Sequence, residues 1–326
     1  MKIFSVFLIL VVLIFGCNSE NRESELTGEY IGQNLPNDSS EVFATGIVST
    51  EFSVRDATFS PDGDEFFYSI RGSSFFSILH FTRKDNGWHG PIIAPFSGQY
   101  SDIEPCFSPD GKKLYFVSNR PLDADDKPKD YDIWYVEKEN DLWSEAKNLG
   151  APINTTANEF YPSFRSDGTL YFCANYATGI GGEDLYYSKL VNGKYQNPIN
   201  LGDSINSVRD EFNSFISPDG SYLMFTTTGW GKGLGSGDLW ISFSKGDNEW
   251  TRPKNMGAKV NSAFFEYCPS ITPDGKFLFF TSNRSNNENY SSVKITYKNL
   301  IDGLRSNLNG SENIYWIKSD FIKELN

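Results

Sequence analysis

The sequence predicts an all-β protein, a β-propeller built from four-stranded antiparallel blades, and two observations carry that prediction. First, a turn phrase of the form Ser-Pro-Asp-Gly recurs five times, with aspartates 48, 57, 52 and 55 residues apart. A period in this range is typical of repeat architectures. Second, each phrase lies between short runs of aromatic and β-branched residues, the pattern of a β-hairpin. The five aspartates are Asp62, Asp110, Asp167, Asp219 and Asp274.

Each repeat supplies the elements of one blade. The phrase itself predicts a tight turn, because Pro presets φ, Asp bonds nearby backbone and Gly accepts a positive φ. In the second repeat this turn joins residues 105–107 to residues 114–117, and a third strand follows at 133–136. A fourth, weaker strand carries Trp143 in the second repeat. The equivalent strand of the fourth repeat is followed by Pro253. Because proline suits only an edge strand, the fourth strand is predicted to be outermost.

The repeat count predicts five blades, since four strands per repeat of about 50 residues describe one propeller blade. Six blades would fit if one had lost its signature. The last repeat has three clear strands, because the chain ends soon after Ile317. The N-terminal segment 42–49 resembles a fourth strand, so we expect it to complete the last blade. Closing the ring in this way removes exposed sheet edges.

The repeated phrase also resembles a known family. Its fullest form, E-x-x-P-x-F-S-P-D-G-x-x-L-Y-F-x-S-N-R followed by D-I-W, is similar to the WD40-like Pro-Asp repeat of TolB-type propellers. Residues 102–120 with 132–134 carry it nearly whole, and residues 266–284 carry it again. In the first repeat Val54 replaces the leading acid. The resemblance implies the fold over about residues 42–320; it implies little about function, because propellers host many unrelated activities.

The N-terminus predicts an address in the bacterial cell envelope. Residues 1–16 read as a lipoprotein signal peptide whose apolar run is too short to span a membrane comfortably, although an uncleaved anchor is the alternative. Cys17 ends a lipobox-like stretch and is expected to be acylated. Residues 17–41 are polar and predict a flexible tether, and residues 42–326 form the single propeller domain. Acids early in the tether favour the outer membrane, on its periplasmic or surface face.

Composition narrows the function classes. The formal net charge is −13, which argues against nucleic acid or anionic lipid as an electrostatic partner. Cys106, Cys173 and Cys268 fall in three different blades and read as small buried apolar residues rather than a disulfide pair. The sequence has no C-x-x-C spacing and no G-x-S-x-G elbow. The sequence therefore predicts no cofactor, with Ca²⁺ as the alternative.

The best candidate site is a set of four acids, each eight residues before a turn aspartate. They are Asp102, Glu159, Glu211 and Glu266. Each begins an innermost strand, so we expect the four carboxylates to crowd one mouth of the central channel. Further candidates at that mouth are Asn119, Arg120, Asn175, Trp230, Asn283 and Arg284. Clustered carboxylates raise one another's pKa or attract a cation, so such a mouth suits Ca²⁺, a cationic group or a sugar. The alternative is a structural network in which Arg and backbone amides satisfy the acids.

Residues that differ between blades are the other candidates. They lie in the acidic loop 123–130, in residues 176–183, and in the long insert 285–312, since long loops are often functional. Within the insert, residues 297–308 predict a short helix that caps the channel mouth. The sequence therefore favours a monomeric, lipid-anchored, non-catalytic binding or scaffolding propeller for an envelope protein or glycan. A glycoside hydrolase or lyase using the mouth carboxylates is the alternative.

Overall fold

The computed structural model describes residues 26–85, 87–123, 129–228, 230–246, 248–286 and 294–326. Over these ranges the chain forms a β-propeller of five antiparallel blades, which confirms the predicted fold class. The described part contains one α-helix, Tyr297–Leu304, and the two 3-10 helices Tyr30–Gly32 and Ser319–Leu325. No helix in these ranges is long and apolar enough to cross a membrane. The predicted signal peptide and Cys17 lie outside the described residues.

The strands of each blade run outward from the channel. Blade 1 contains Val54–Phe59, Glu65–Arg71, Phe76–Lys84, Gly87–Ile93 and Leu26–Thr27. Blade 2 contains Asp102–Phe107, Lys113–Ser118 and Asp132–Glu139, with Leu142–Trp143 and Lys147–Asn148 both paired to the third strand. Blade 3 contains Glu159–Phe164, Leu170–Ala174, Asp184–Ser188 and Ile199–Asn200, plus the hairpin Leu190–Val191 and Lys194–Tyr195.

The last two blades repeat this plan. Blade 4 contains Glu211–Ile216, Tyr222–Thr227 and Asp238–Gly246, with Glu249–Trp250 and Lys254–Asn255 both paired to the third strand. Blade 5 contains Glu266–Ile271, Phe277–Ser282, Asn313–Lys318 and Glu41–Val42.

The repeated phrase forms the turn between the first two strands, as predicted. In blade 2 the hydroxyl of Ser108 donates to Asp110 over 2.7 Å, and the backbone N–H of Lys112 donates to the same carboxylate over 3.1 Å. Gly111 follows with a φ of 70°, a conformation that glycine adopts without strain. The same Ser/Thr-to-Asp bond recurs in blades 1, 4 and 5. The aspartates therefore shape turns.

A repeated aromatic on the second strand of each blade anchors the core. The equivalent residues are Tyr68, Phe116, Phe172, Phe225 and Phe280, and all are buried. Each packs within an apolar cluster, and several of these clusters join neighbouring blades, as where Phe116 lies with Phe67 of blade 1. Burying such a ring contributes about 1.5–3 kcal/mol. The same burial contributes to stability in all five blades.

The N-terminal segment closes the ring, as predicted, although its strand is Glu41–Val42 and does not extend over the predicted residues 42–49. Glu41–Val42 pairs antiparallel with Asn313–Lys318, and the N–H of Phe43 donates to the carbonyl of Ile314 over 2.8 Å. The ring of Phe43 is fully buried and lies 5.1 Å from that of Trp316. A strand from one end of the chain thus completes the blade built by the other end.

The predicted tether is shorter than expected. Leu26–Thr27 pairs with Gly87–Ile93 as a fifth strand of blade 1, and Tyr30 and Ile31 are buried between blades 5 and 1. The hydroxyl of Tyr30 donates to Asp274 in the blade 5 turn over 2.6 Å. These apolar side chains fold the segment onto the propeller from Leu26 onward. A flexible tether over residues 17–25 stays a prediction.

Candidate functional site

The four predicted acids are fully buried, and each is bonded within its own blade. A hydroxyl four or five residues earlier donates to each carboxylate. The pairs are Ser97 with Asp102 at 2.8 Å, Thr155 with Glu159 at 2.8 Å, Ser207 with Glu211 at 2.8 Å and Ser262 with Glu266 at 2.5 Å. This geometry supports the structural alternative, because a partner could reach these oxygens only by displacing internal bonds. We call these four residues the ring acids.

Two ring acids are paired with arginine and two are not. Arg120 donates to Asp102 over 2.7 Å, and Arg284 lies 3.2 Å from Glu266. Blades 3 and 4 lack that arginine. Burial raises the pKa of Glu159 to about 8, the nearby Asp132 charge adds to the shift, and no arginine opposes it. Within the described residues, no group of three or more His, Cys, Asp or Glu side chains could hold a metal ion.

The other predicted mouth residues also have internal partners. Three asparagine side chains each accept a backbone N–H from the residue before a ring acid, which ties the second strand to the first. The acceptors are Asn119 from Ser101 at 3.0 Å, Asn175 from Asn158 at 2.8 Å and Asn283 from Phe265 at 3.0 Å. The indole of Trp230 donates to the carbonyl of Ile205 over 2.8 Å. Their direct contact with a partner stays a prediction.

A feature that sequence reasoning missed lies two residues after each ring-acid position. There every innermost strand has a residue with positive φ and a shift of register against the second strand. The five residues are Asp56, Glu104, Tyr161, Asn213 and Cys268, with φ between 47° and 65°. Such bulges re-aim side chains, and these residues contact one another across blades.

Arg55 is the centre of this network. Its guanidinium lies 2.7 Å from Asp56 and 2.8 Å from Glu104, and its side chain is only 14% exposed. Asn213 donates to Glu104 over 3.1 Å, and the thiol of Cys268 donates to Asp56 over 2.8 Å. Burial raises the pKa of Glu104, although Arg55 acts in the opposite direction. Arg55 follows Val54, the position at which blade 1 lacks the repeated acid.

Above this network a cavity of about 430 Å³ opens at the start of the innermost strands. We call it the funnel. It is lined by Arg55, Ile103, Glu104, Phe160, Glu183, Asp210, Phe212, Asn213, Phe265 and Tyr267. Glu104 also lines a smaller cavity, of about 210 Å³, that contains Asp56. The Arg55 network therefore forms a floor between the two cavities.

The funnel has aromatic walls and an acidic rim. The rings of Phe212 and Phe265 stack with centroids 6.1 Å apart, and Tyr267 meets Phe265 edge-on at 5.2 Å. Burial raises the pKa of Glu183 to about 7, the charge of Asp210 adds to that shift, and Arg55 opposes it. The Glu183 carboxylate has no hydrogen-bond donor among the residues that the structure describes. Asp210 is exposed at the rim.

Two loop predictions have different outcomes. The insert does contain a helix, Tyr297–Leu304, shorter than the predicted 297–308. Its apolar residues Leu300 and Leu304 are 43% and 57% exposed, and no described residue of the insert before Glu312 lines the funnel. The placement of this helix as a cap over the channel mouth stays a prediction. Cys106, Cys173 and Cys268 are free thiols.

Comparisons with known proteins agree with the fold alone. No family model matches the chain, and no curated protein matches it. The chain is similar to a putative TolB from Agrobacterium tumefaciens (16% identity, 70% of this chain and 69% of that one, TM-score 0.45). It is also similar to TolB from Acinetobacter baumannii (12% identity, 82% of this chain and 55% of that one, TM-score 0.46). A third similar structure is an α-L-arabinofuranosidase from Lactobacillus brevis (12% identity, 83% of this chain and 92% of that one, TM-score 0.49).

Proposed function

We propose that this protein is a non-catalytic binding module and that the funnel receives a group from its partner, an envelope protein or glycan. The observation that carries the proposal is the funnel itself: aromatic walls, an acidic rim and a floor of paired charges converge on one cavity. Its volume of about 430 Å³ is within the usual range for small-ligand sites. Its residues differ from blade to blade, as a specific site requires.

The charged residues of the funnel floor are already paired with one another, which favours binding over catalysis. Glycoside hydrolysis needs one carboxyl free to protonate the leaving group and a second carboxylate facing the substrate. Arg55 bridges Asp56 and Glu104, and the second oxygen of Glu104 accepts the N–H of Tyr161 over 2.7 Å. A pair engaged in this way offers a rigid, charged floor rather than a free acid and base.

The proposed setting is the bacterial envelope. There the propeller is a monomer, and a lipid on Cys17 attaches it to the membrane. The lipobox-like residues 14–17 and the polar residues after them support this setting. Membership of the WD40-like Pro-Asp repeat family is part of the same proposal. An outer-membrane location follows from the acidic residues near the acylation site.

Crosslinked affinity purification from the native envelope tests the proposal. Asp210→Lys reverses a rim charge and obstructs the funnel, while Asp203→Lys makes the same change at an exposed acid that does not line it. We expect wild type and Asp203→Lys to recover the same partner and Asp210→Lys to lose it. Equal recovery by all three would rule out the funnel. A Cys17→Ser variant should leave the membrane fraction if the anchor is a lipid.

A glycoside hydrolase or lyase is the second candidate, and one observation favours it. Glu183 has a pKa of about 7 on the wall of the cavity, a suitable value for a general acid. This reading expects turnover of an extracellular polysaccharide that Glu183→Gln abolishes. A broad glycan panel without turnover would exclude it.

A further inference from the structure

We propose that the group received by the funnel is an organic cation, a primary ammonium or guanidinium such as the end of a lysine or arginine side chain. This inference rests on the proposed binding function and names the chemistry of its ligand. It is drawn from three properties of the cavity: the imbalance between its hydrogen-bond donors and acceptors, the sign of its charge, and its aromatic wall.

The first property is an imbalance between donors and acceptors. The donors that line the funnel are directed at protein acceptors: Arg55 at Asp56 and Glu104, and Asn213 at Glu104. The hydroxyl of Tyr267 donates to Glu312. The carboxylate of Glu183, by contrast, accepts no donor among the described residues, and that of Asp210 accepts only the backbone N–H of Glu183, over 3.1 Å. A complementary ligand must therefore donate, and a positively charged donor makes the stronger hydrogen bond to a carboxylate.

The second property is the sign of the charge. Arg55 is the one basic residue that lines the funnel in the described part of the chain, and two buried carboxylates already share it. Glu183 and Asp210 lie close enough for the Asp210 charge to raise the pKa of Glu183. Two unneutralised acids beside one another are a cost that a ligand cation removes. An anionic ligand would increase that cost.

The third property is the aromatic wall. Phe160, Phe212 and Phe265 are each partly exposed around the cavity, and cations are attracted to the faces of such rings. A bare metal ion would leave most of about 430 Å³ unfilled. A lysine or arginine side chain would place its methylene stem against the rings and its charged end beside Glu183 and Asp210.

Binding of defined peptides to the full-length protein tests the inference. The probes are five-residue glycine peptides with one central lysine or arginine, and matched peptides with acetyl-lysine or norleucine. Calorimetry at pH 8 should show the charged peptides binding about tenfold more tightly than the neutral ones, the factor expected for one charge-assisted hydrogen bond. Glu183→Gln should lose that preference, whereas Glu145→Gln, the same change at an exposed acid, should keep it.

The pH dependence gives a second readout. Glu183 is faced by Asp210 and Arg55, its charge also contributes to the raised pKa of Glu104 on the floor, and it becomes neutral as pH falls below about 7. Wild-type binding of the lysine peptide should weaken between pH 8 and pH 6, and binding by Glu183→Gln should change less. Circular dichroism of each variant establishes that the fold is intact.

Three results would overturn the inference. These are no binding by any peptide, equal binding of lysine and acetyl-lysine peptides, and a preference for lysine that survives Glu183→Gln. If Asp210→Lys still abolishes partner capture while these results hold, the proposed binding function stands and only the cationic ligand is wrong. A neutral oligosaccharide that binds through the funnel would lead to the same conclusion.

Discussion

The ring acids and most of the funnel residues lie on innermost strands, one or two positions apart, yet they have opposite surroundings. Glu266 is fully buried and accepts bonds from Ser262, Ser282 and Arg284. Tyr267, the next residue, lines the funnel. The ring acid recurs in four blades in the same setting, whereas the residue after it is Arg55, Ile103, Phe160, Phe212 or Tyr267 depending on the blade.

This difference indicates which positions of the sequence maintain the propeller fold and which form the recognition site. A residue repeated in four of the five blades serves a purpose that these blades share. Here it ties the start of the first strand to the loop before it and to the end of the second strand. A position that varies between blades cannot serve that common purpose, and five different side chains can then form an asymmetric cavity. If the ring acids maintain the fold and the funnel residues form the recognition site, substitutions that remove the ring acids' partners should lower the free energy of unfolding. Substitutions of funnel residues should not lower it.

The largest effect is expected from Arg120→Met. Asp102 is fully buried and 2.7 Å from Arg120, and removing one partner of a buried ion pair costs about 3–5 kcal/mol. Burial already raises the pKa of Asp102, so protonation should relieve part of the loss at acidic pH. Urea unfolding at pH 7 and pH 5 measures both effects.

Arg209→Met is the matched control, because Arg209 is exposed and surface substitutions usually change stability by less than about 0.5 kcal/mol. The double variant Arg120→Met with Asp102→Asn should recover part of the loss, since it removes the buried charge. A loss for Arg120→Met no larger than that of the control would mean that the ring acids do not hold the blades together.

A smaller loss is expected where the loop that carries Glu183 meets the next blade. A Cβ on Gly181 would lie 1.9 Å from the carbonyl oxygen of Arg209, so Gly181→Ala must displace backbone and should cost about 1–3 kcal/mol. Gly87→Ala, whose Cβ would meet its nearest neighbour at 3.6 Å, is the control. Thermal unfolding of both variants measures the difference, and equal values would show that the rim loop is not rigidly seated.

The architecture was predictable because it is local and repeated. The turn aspartates, such as Asp110, and the four-strand plan follow from patterns that recur along the chain. Closure by Glu41–Val42 follows because the last repeat has only three strands of its own. The funnel was not predictable, because its floor depends on a left-handed residue inside each innermost strand, and simple alternation assigns Glu104 to the wrong face. Arg55, Asn213 and Glu104 also belong to three blades, so their contacts form only in the closed ring. Two signals were available: the position after Val54, where the repeated acid is missing, and the blade-specific residues 176–183, which include Glu183 of the funnel.

The smallest effect, and the one that separates the two regions most directly, is expected from Glu183→Gln. The pKa of Glu183 is about 7, above the usual carboxyl value of about 4.3. The folded protein thus holds its proton more tightly than the unfolded chain, and this contribution to stability is lost as pH rises through about 7. The variant has no such loss, so at pH 8.5 it should be more stable than wild type by about 1 kcal/mol after allowance for solvent screening.

The difference should shrink as pH falls toward 5, where Glu183 is neutral in the folded protein. Urea unfolding across pH 5–9 measures it, with Glu145→Gln as the control that should follow wild type throughout. The fold explains the presence of a ring acid, whereas a residue that lowers stability at its working pH needs another explanation, and ligand binding is one. If Glu183→Gln were instead destabilised at pH 8.5, Glu183 would belong with the ring acids and the division between the two regions would fail at the rim.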